Sequence, residues 1–151
     1  MEEQMIKKLL LGLGLLLLVG CLSAHTSRVT PQLFTYNAPQ ERVWHALISF
    51  YSDVHMGIAD QHNTTWTVVS KDVITAADPD VVNCTPNLPN IEVAYTLRAF
   101  LTAKGDSTTL HLLLSVHGNT RDGRVVLCQS TGATERLVAA GVNAWLHPDE
   151  E

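Results

Sequence analysis

The chain has no uncharged apolar run long enough to cross a bilayer. Its longest, residues 9–20, is twelve residues, against the roughly twenty that a spanning helix needs. Basic excess is also missing: 10 Lys and Arg face 15 Asp and Glu, a formal charge of −5. That balance argues against nucleic acid, or a polybasic grip on lipid, as the main task. No internal repeat and no low-complexity tract lies outside residues 9–20, so an array of repeated units is not expected. The catalytic signatures are absent too: no Gly-x-Ser-x-Gly elbow, no phosphate-binding glycine loop and no His-Glu-x-x-His helix occurs, so no enzyme is expected. Cysteine is scarce, at Cys21, Cys84 and Cys128.

What is there begins at the N-terminus. Lys7 and Lys8 precede the leucine-rich residues 9–20. A basic opening, a short apolar stretch and a small residue before a cut define an export signal. Reading the same stretch as a buried helix would require a larger protein around it, because it has no polar face. Glu2 and Glu3 offset the two lysines, so initiation is expected at Met5, which N-terminal sequencing of an uncleaved Cys21→Ser chain would read. Leu18-Val19-Gly20-Cys21 resembles the lipobox of bacterial lipoproteins. The resemblance implies diacylglyceryl transfer to the Cys21 thiol, cleavage between Gly20 and Cys21, and acylation of the new amine. Each buried methylene contributes about 0.8 kcal/mol, so two or more chains hold a membrane stably where one does not. Leu22 stands where aspartate generally marks inner-membrane retention in such proteins. An outer-membrane address with the domain facing the periplasm is therefore implied.

Residues 1–20 are thus expected as signal peptide and 21–31 as lipidated cysteine and polar tether. Residues 32–147 should form one domain and 148–151 a short acidic tail. Leu33-Phe34-Thr35-Tyr36 reads as a strand. Pro39 suits the first turn of a helix, with Glu41 favouring the same end. Val43, Leu47, Phe50, Tyr51 and Val54 then fall at helical spacing over about four turns. Thr65 to Ser70 and Val73-Ile74-Thr75 read as short strands, and residues 76–90, with three prolines, as a loop. Residues 91–101 form a longer strand with Val93, Tyr95, Leu97, Ala99 and Leu101 on one side. Lys104-Gly105-Asp106-Ser107 has turn chemistry. Residues 109–117 return with Leu110, Leu112, Leu114 and Val116 on one face and His111, Leu113, Ser115 and His117 on the other. Such alternation fits an antiparallel hairpin covered on one side. Residues 119–123 make a second turn and Val125 to Cys128 a strand. Thr131 is placed to cap a last helix carrying Glu135 in its first turn. Its apolar stripe reads Leu137, Val138, Gly141, Val142, Trp145 and Leu146.

The order predicts an α+β fold, an antiparallel sheet packed by an N-terminal and a C-terminal helix. Residues 38–47, Ala-Pro-Gln-Glu-Arg-Val-Trp-His-Ala-Leu, and 128–132, Cys-Gln-Ser-Thr-Gly, resemble small proteobacterial outer-membrane lipoproteins of uncharacterised role. More distantly the layout is similar to the helix-grip modules of the C-component lipoprotein of the outer-membrane barrel assembly machinery. The resemblance implies a helix-grip-like two-layer sandwich and supplies no catalytic motif. Cys84 is followed by Thr85, where these proteins often have glycine.

With Cys21 lipidated, Cys84 and Cys128 are left as an even pair, and in an oxidising periplasm they are expected to join. A loop of 44 residues closed this way stabilises by about 4 kcal/mol in the chain-entropy picture. Two buried free thiols are the alternative. Asp53-x-His55 and Asp60-x-His62 are metal-ligand types, but their spacing matches no metal motif, and polar loops collect such residues. His111 and His117 stand six apart on one strand face, about 20 Å along it, too far to share a metal. No metal and no cofactor is expected. Two functions follow: a non-enzymatic protein-binding or accessory domain of the envelope, or a domain holding a small apolar ligand between sheet and C-terminal helix. In the second, Tyr95, Leu97 and Trp145 would line the cavity; otherwise they are core. Ala139, Ala140, Gly141 and Ala144 fit close packing or room for a ligand equally.

Overall fold

A computed structural model describes residues 30–86 and 90–148, so Gly20, Cys21, the signal and most of the tether and acidic tail lie outside the described residues. The elements run β1 (Gln32–Tyr36), α1 (Gln40–Asp53), β2 (Ile58–His62), β3 (Thr67–Ser70), β4 (Val73–Ala76), β5 (Val82–Thr85), β6 (Glu92–Lys104), β7 (Ser107–Asn119), β8 (Val125–Ser130) and α2 (Ala133–Leu146). The fold is α+β, an antiparallel sheet with two helices.

A long hairpin organises it. β6 and β7 are each 13 residues and pair along their whole length, from Glu92↔Asn119 to Lys104↔Ser107. Gly105 and Asp106 make the two-residue turn between Lys104 and Ser107, with Gly105 at φ 60°, the left-handed backbone that glycine adopts without steric cost. Because side chains alternate along a strand, Val93, Leu97, Ala99 and Leu101 are buried on one face with Leu110, Leu112 and Leu114. The far edge of β6 carries β3 and then β4. Between those two ladders the buried Ser70 hydroxyl accepts the Leu97 N–H at 2.9 Å, so the strand change leaves that donor satisfied. The outer edge of β7 carries β1 and, further along, β8. β2 extends β3, and β5 extends β8.

Both helices lie on the leucine face. Val43, Trp44, Ala46, Leu47 and Tyr51 of α1 are buried, as are Val138, Ala139, Val142 and Leu146 of α2, and they share one cluster with the inner residues of β6 and β7. Full burial of a side chain of this size contributes about 1.5–3 kcal/mol, and the contiguity of the cluster makes this the main source of stability. Polar ties fix the layers. Tyr36 Oη donates to Ala139 O at 2.9 Å, and burial pushes its phenol up to about 12. Arg42 Nη2 donates to Leu146 O at 2.9 Å, and Thr108 Oγ1 to Ala38 O at 2.8 Å. Trp44 meets Trp66 edge to face, with centroids 5.8 Å apart, which holds the β2–β3 turn against α1.

A second cluster covers the other half of the hairpin. Val82, Cys84 and Val126 pack on Ile91 and Val93, with Tyr95 and Val116 beside them. The β5–β8 ribbon is clasped by a disulfide between the directly opposed Cys84 and Cys128, whose Cα atoms are 4.0 Å apart. The expected pairing of these cysteines is present.

Five local expectations are corrected. Residues 76–90 are not loop throughout, since β5 lies among them; β2 stands where no element was expected. Pro39 sits just before α1, with its carbonyl accepting from Arg42 and Val43, and not inside the first turn. Thr131 is not the N-cap residue of α2, although its hydroxyl accepts the Ala133 N–H at the helix start at 3.4 Å. Gly132 occupies that position at φ 84°, and the Thr131 hydroxyl donates to Asp80 O at 2.6 Å and Val81 O at 3.1 Å, tying the β5 approach to the helix start. The α2 stripe is rotated: Leu137 and Trp145 are 66% and 46% exposed, and the buried set is Glu135, Val138, Ala139, Val142 and Leu146.

Candidate functional site

Local pairing along β7 creates the most distinct surface feature. β1 accompanies β7 as far as Gln32↔Leu112, and β8 joins only at Gly118↔Val126 and Asn119↔Val125. Residues 113–117 therefore have no ladder partner on that edge among the described residues. β8 leaves β7 after Val126 because it turns to pair with β5, from Thr85↔Leu127 to Val82↔Ser130. The disulfide stands at this divergence. An ideal Cβ on Gly118 would lie 2.5 Å from Cys128 Sγ, so only glycine lets the ribbon start so close to β7.

The divergence opens a cleft of about 440 Å³, bordered by Leu114, Val116, Leu127, Gln129, Ser130 and Glu135 among others. That volume is within the range of roughly 300–1,000 Å³ common to binding pockets. At its floor is the start of α2. The Ser130 hydroxyl accepts the Gly132 N–H at 2.9 Å and donates to Glu135 Oε2 at 2.8 Å. Glu135 is only 3% exposed, and it forms no ion pair within 4 Å among the described residues. At the rim of the cleft, β8 presents Val125 at 80% and Leu127 at 71% exposure. Neither the burial of Glu135 nor the splay of β8 was foreseen. The sequence marks Val125 to Cys128 only as a short apolar strand, which cannot say which edge is open.

The residues singled out earlier do not gather here. Leu97 is core at 1% exposure, while Tyr95 packs against both clusters. Trp145 points away from both, its indole N–H donating to Asp53 Oδ2 at 3.0 Å. The three thus do not line one cavity between sheet and helix. An ideal Cβ at Gly141 would fall 2.1 Å from the Phe50 ring, so Gly141 serves close packing of the helices; Ala139 is buried, and Ala140 and Ala144 are exposed. His62 Nε2 lies 2.9 Å from Asp60 Oδ2 on the exposed edge strand, and His55 Nδ1 is 3.1 Å from Ser52 O. No group of three or more metal-ligand side chains is assembled among the described residues. His111 stacks on Phe100 at 4.2 Å and its Nε2 is 2.9 Å from Thr102 Oγ1; desolvation lowers its pKa from the ordinary value. No helix among the described residues is long and apolar enough to cross a membrane.

No family model matches the chain, and no curated protein matches it. Solved structures do match. A DUF4468 family protein from Bacteroides ovatus aligns at 8% identity and TM-score 0.34, over 69% of this chain and 66% of that one, so this chain spans just under two thirds of that protein. Ara h 8.0201 aligns at 10% identity and TM-score 0.38, over 79% of this chain and 97% of its own. A TBP-like protein from Parabacteroides distasonis aligns at 10% identity and TM-score 0.36, over 80% and 86%.

Proposed function

We propose that this chain is a lipid-anchored, non-enzymatic protein-binding module of the bacterial envelope, acylated at Cys21 and facing the periplasm from the outer membrane. The domain is read as a helix-grip-like sandwich whose partner is another envelope protein. The observation that carries the binding role is the outer face of β8. Val125 and Leu127, 80% and 71% exposed, stand beside an open strand edge, and exposed apolar surface next to unmet backbone groups is what a protein interface covers. The lipobox-like Leu18-Val19-Gly20-Cys21 supports the address. The Cys84–Cys128 disulfide fits an oxidising compartment.

A photo-crosslinking residue at Leu127 of the full chain tests the reading in living cells, with the same probe at Glu41, an exposed position of α1, as control. A discrete protein adduct from position 127 and none from 41 is expected, together with palmitate incorporation that Cys21→Ser abolishes. Failure to form any adduct at 127 ends the binding proposal; palmitate labelling that survives Cys21→Ser ends the anchoring proposal.

A further inference from the structure

We propose that the cleft between β7 and β8 takes one extended peptide segment of the partner as an inserted strand, with a lysine or arginine of that segment paired to Glu135. The proposal rests on the protein-binding reading above and names the chemistry of what is bound.

Two open edges face each other across the cleft. On β7, residues 113–117 lie between the end of the β1 ladder at Leu112 and the start of the β8 ladder at Gly118. On β8, residues 127–130 use one edge for β5 and turn the other toward the cleft. In antiparallel pairing, alternate residues aim both N–H and C=O at a neighbour, so each edge offers unmet donors and acceptors to a strand laid between them. Added strands draw affinity from these main-chain bonds and specificity from alternate side chains. Val116 and Leu127 supply apolar contacts at the cleft wall.

Glu135 sets the charge. Its carboxylate is 3% exposed, receives the Ser130 hydroxyl on Oε2, and forms no ion pair within 4 Å among the described residues. Among the described residues, no lysine or arginine lines the cleft. A desolvated carboxylate gains most from a charge-assisted bond to a cationic side chain and repels an acidic one. The selected segment is therefore β-prone and carries one basic residue. The chain's own residues upstream of Thr30, which also borders the cleft, include Arg28 and are the rival occupant.

The probe is a fluorescent, end-blocked heptapeptide of alternating threonine and valine with a central arginine. Two companions carry a central glutamate or N-methyl groups on alternate amides. With the full chain in detergent, the arginine peptide is expected to bind with a Kd on the order of micromolar. The glutamate peptide should bind about tenfold or more weakly, and the N-methyl peptide not at all. Amide exchange should slow at residues 113–117 and 127–130 when the arginine peptide is added. Glu135→Gln should lose the arginine preference while keeping its circular dichroism; should that variant fail to fold, the peptide series and exchange map on the unaltered chain decide alone. Equal binding of the arginine and glutamate peptides, binding of the N-methyl peptide, or protection elsewhere overturns the proposal. So does full protection of both edges before any peptide is added, which assigns the cleft to residues 21–29. A crosslinked adduct at position 127 without peptide binding overturns this inference alone, whereas loss of that adduct overturns the broader reading.

Discussion

Two glycines show how single positions set the approach of whole elements. A Cβ at Gly118 would meet Cys128 Sγ at 2.5 Å and Val126 O at 3.1 Å, and neither neighbour is free to move, one being in a disulfide and the other in backbone. Gly118→Ala is therefore expected to cost about 1–3 kcal/mol, the usual range for overpacking, and less in a Cys84→Ser/Cys128→Ser background. Gly141→Ala would drive a methyl to 2.1 Å from the Phe50 ring. Phe50 is half-buried and can yield, and alanine gains up to about 1 kcal/mol of helix propensity, so a net loss of about 1 kcal/mol is expected. Urea unfolding of both variants measures these values, and a stabilised Gly118→Ala would contradict the packing described here. Neither contact was legible beforehand: spacing identified Gly141 as small and helical, and only the tertiary arrangement supplies Phe50 as its neighbour.

At the scale of elements, long strands with strict alternation were readable and short edge strands were not. β6 and β7 pattern over 13 residues each, so a period of two is statistically visible. β2 has one partly buried residue and four exposed, so it has no hydrophobic alternation to read; it exists because β3 offers it backbone partners. β5 does alternate, with Val82 and Cys84 buried and Asn83 and Thr85 exposed, but four residues between Pro79 and Pro86 resemble loop. The β5–β8 ribbon has only two paired residues joining it to β7, so its disulfide matters more than size alone implies. Replacing both cysteines by serine is expected to lower stability by about 3–4 kcal/mol. The gain in amide exchange should be concentrated in β5 and β8, with α1 and α2 little changed. A loss under about 1 kcal/mol would mean that the second cluster holds the ribbon unaided.

For the whole molecule, acid is the informative stress. Desolvation depresses the His111 pKa below its ordinary 6.5, so the folded state resists the proton that the unfolded chain accepts. The stability this contributes is fully present above about 6.5 and is lost as pH falls through the lower folded value. His111→Gln should flatten that segment of the stability curve, measured as urea midpoints from about pH 7.5 to 5. An unchanged slope would place the titrating group elsewhere. Asp122, held below the usual carboxylate range chiefly by the Thr120 hydroxyl with help from Arg124, is fully exposed and acts only at still lower pH.

The sequence by itself determined the α+β class, the hairpin and both helices, because periodicity and turn chemistry are properties of the chain; it pointed to the Cys84–Cys128 pair only by setting Cys21, one of three cysteines, aside as the expected lipid site. The tertiary structure decided which faces of α2 are buried, where β8 leaves β7, and that Glu135 lies beneath the resulting cleft. Those depend on which strand edges find partners. Trp145 illustrates the difference: helical spacing placed it with Leu146 on one stripe, yet in the fold Leu146 is buried while Trp145 stays half-exposed with its indole N–H on Asp53. Pairing and crossing angle are set between elements, by contacts that no local pattern encodes.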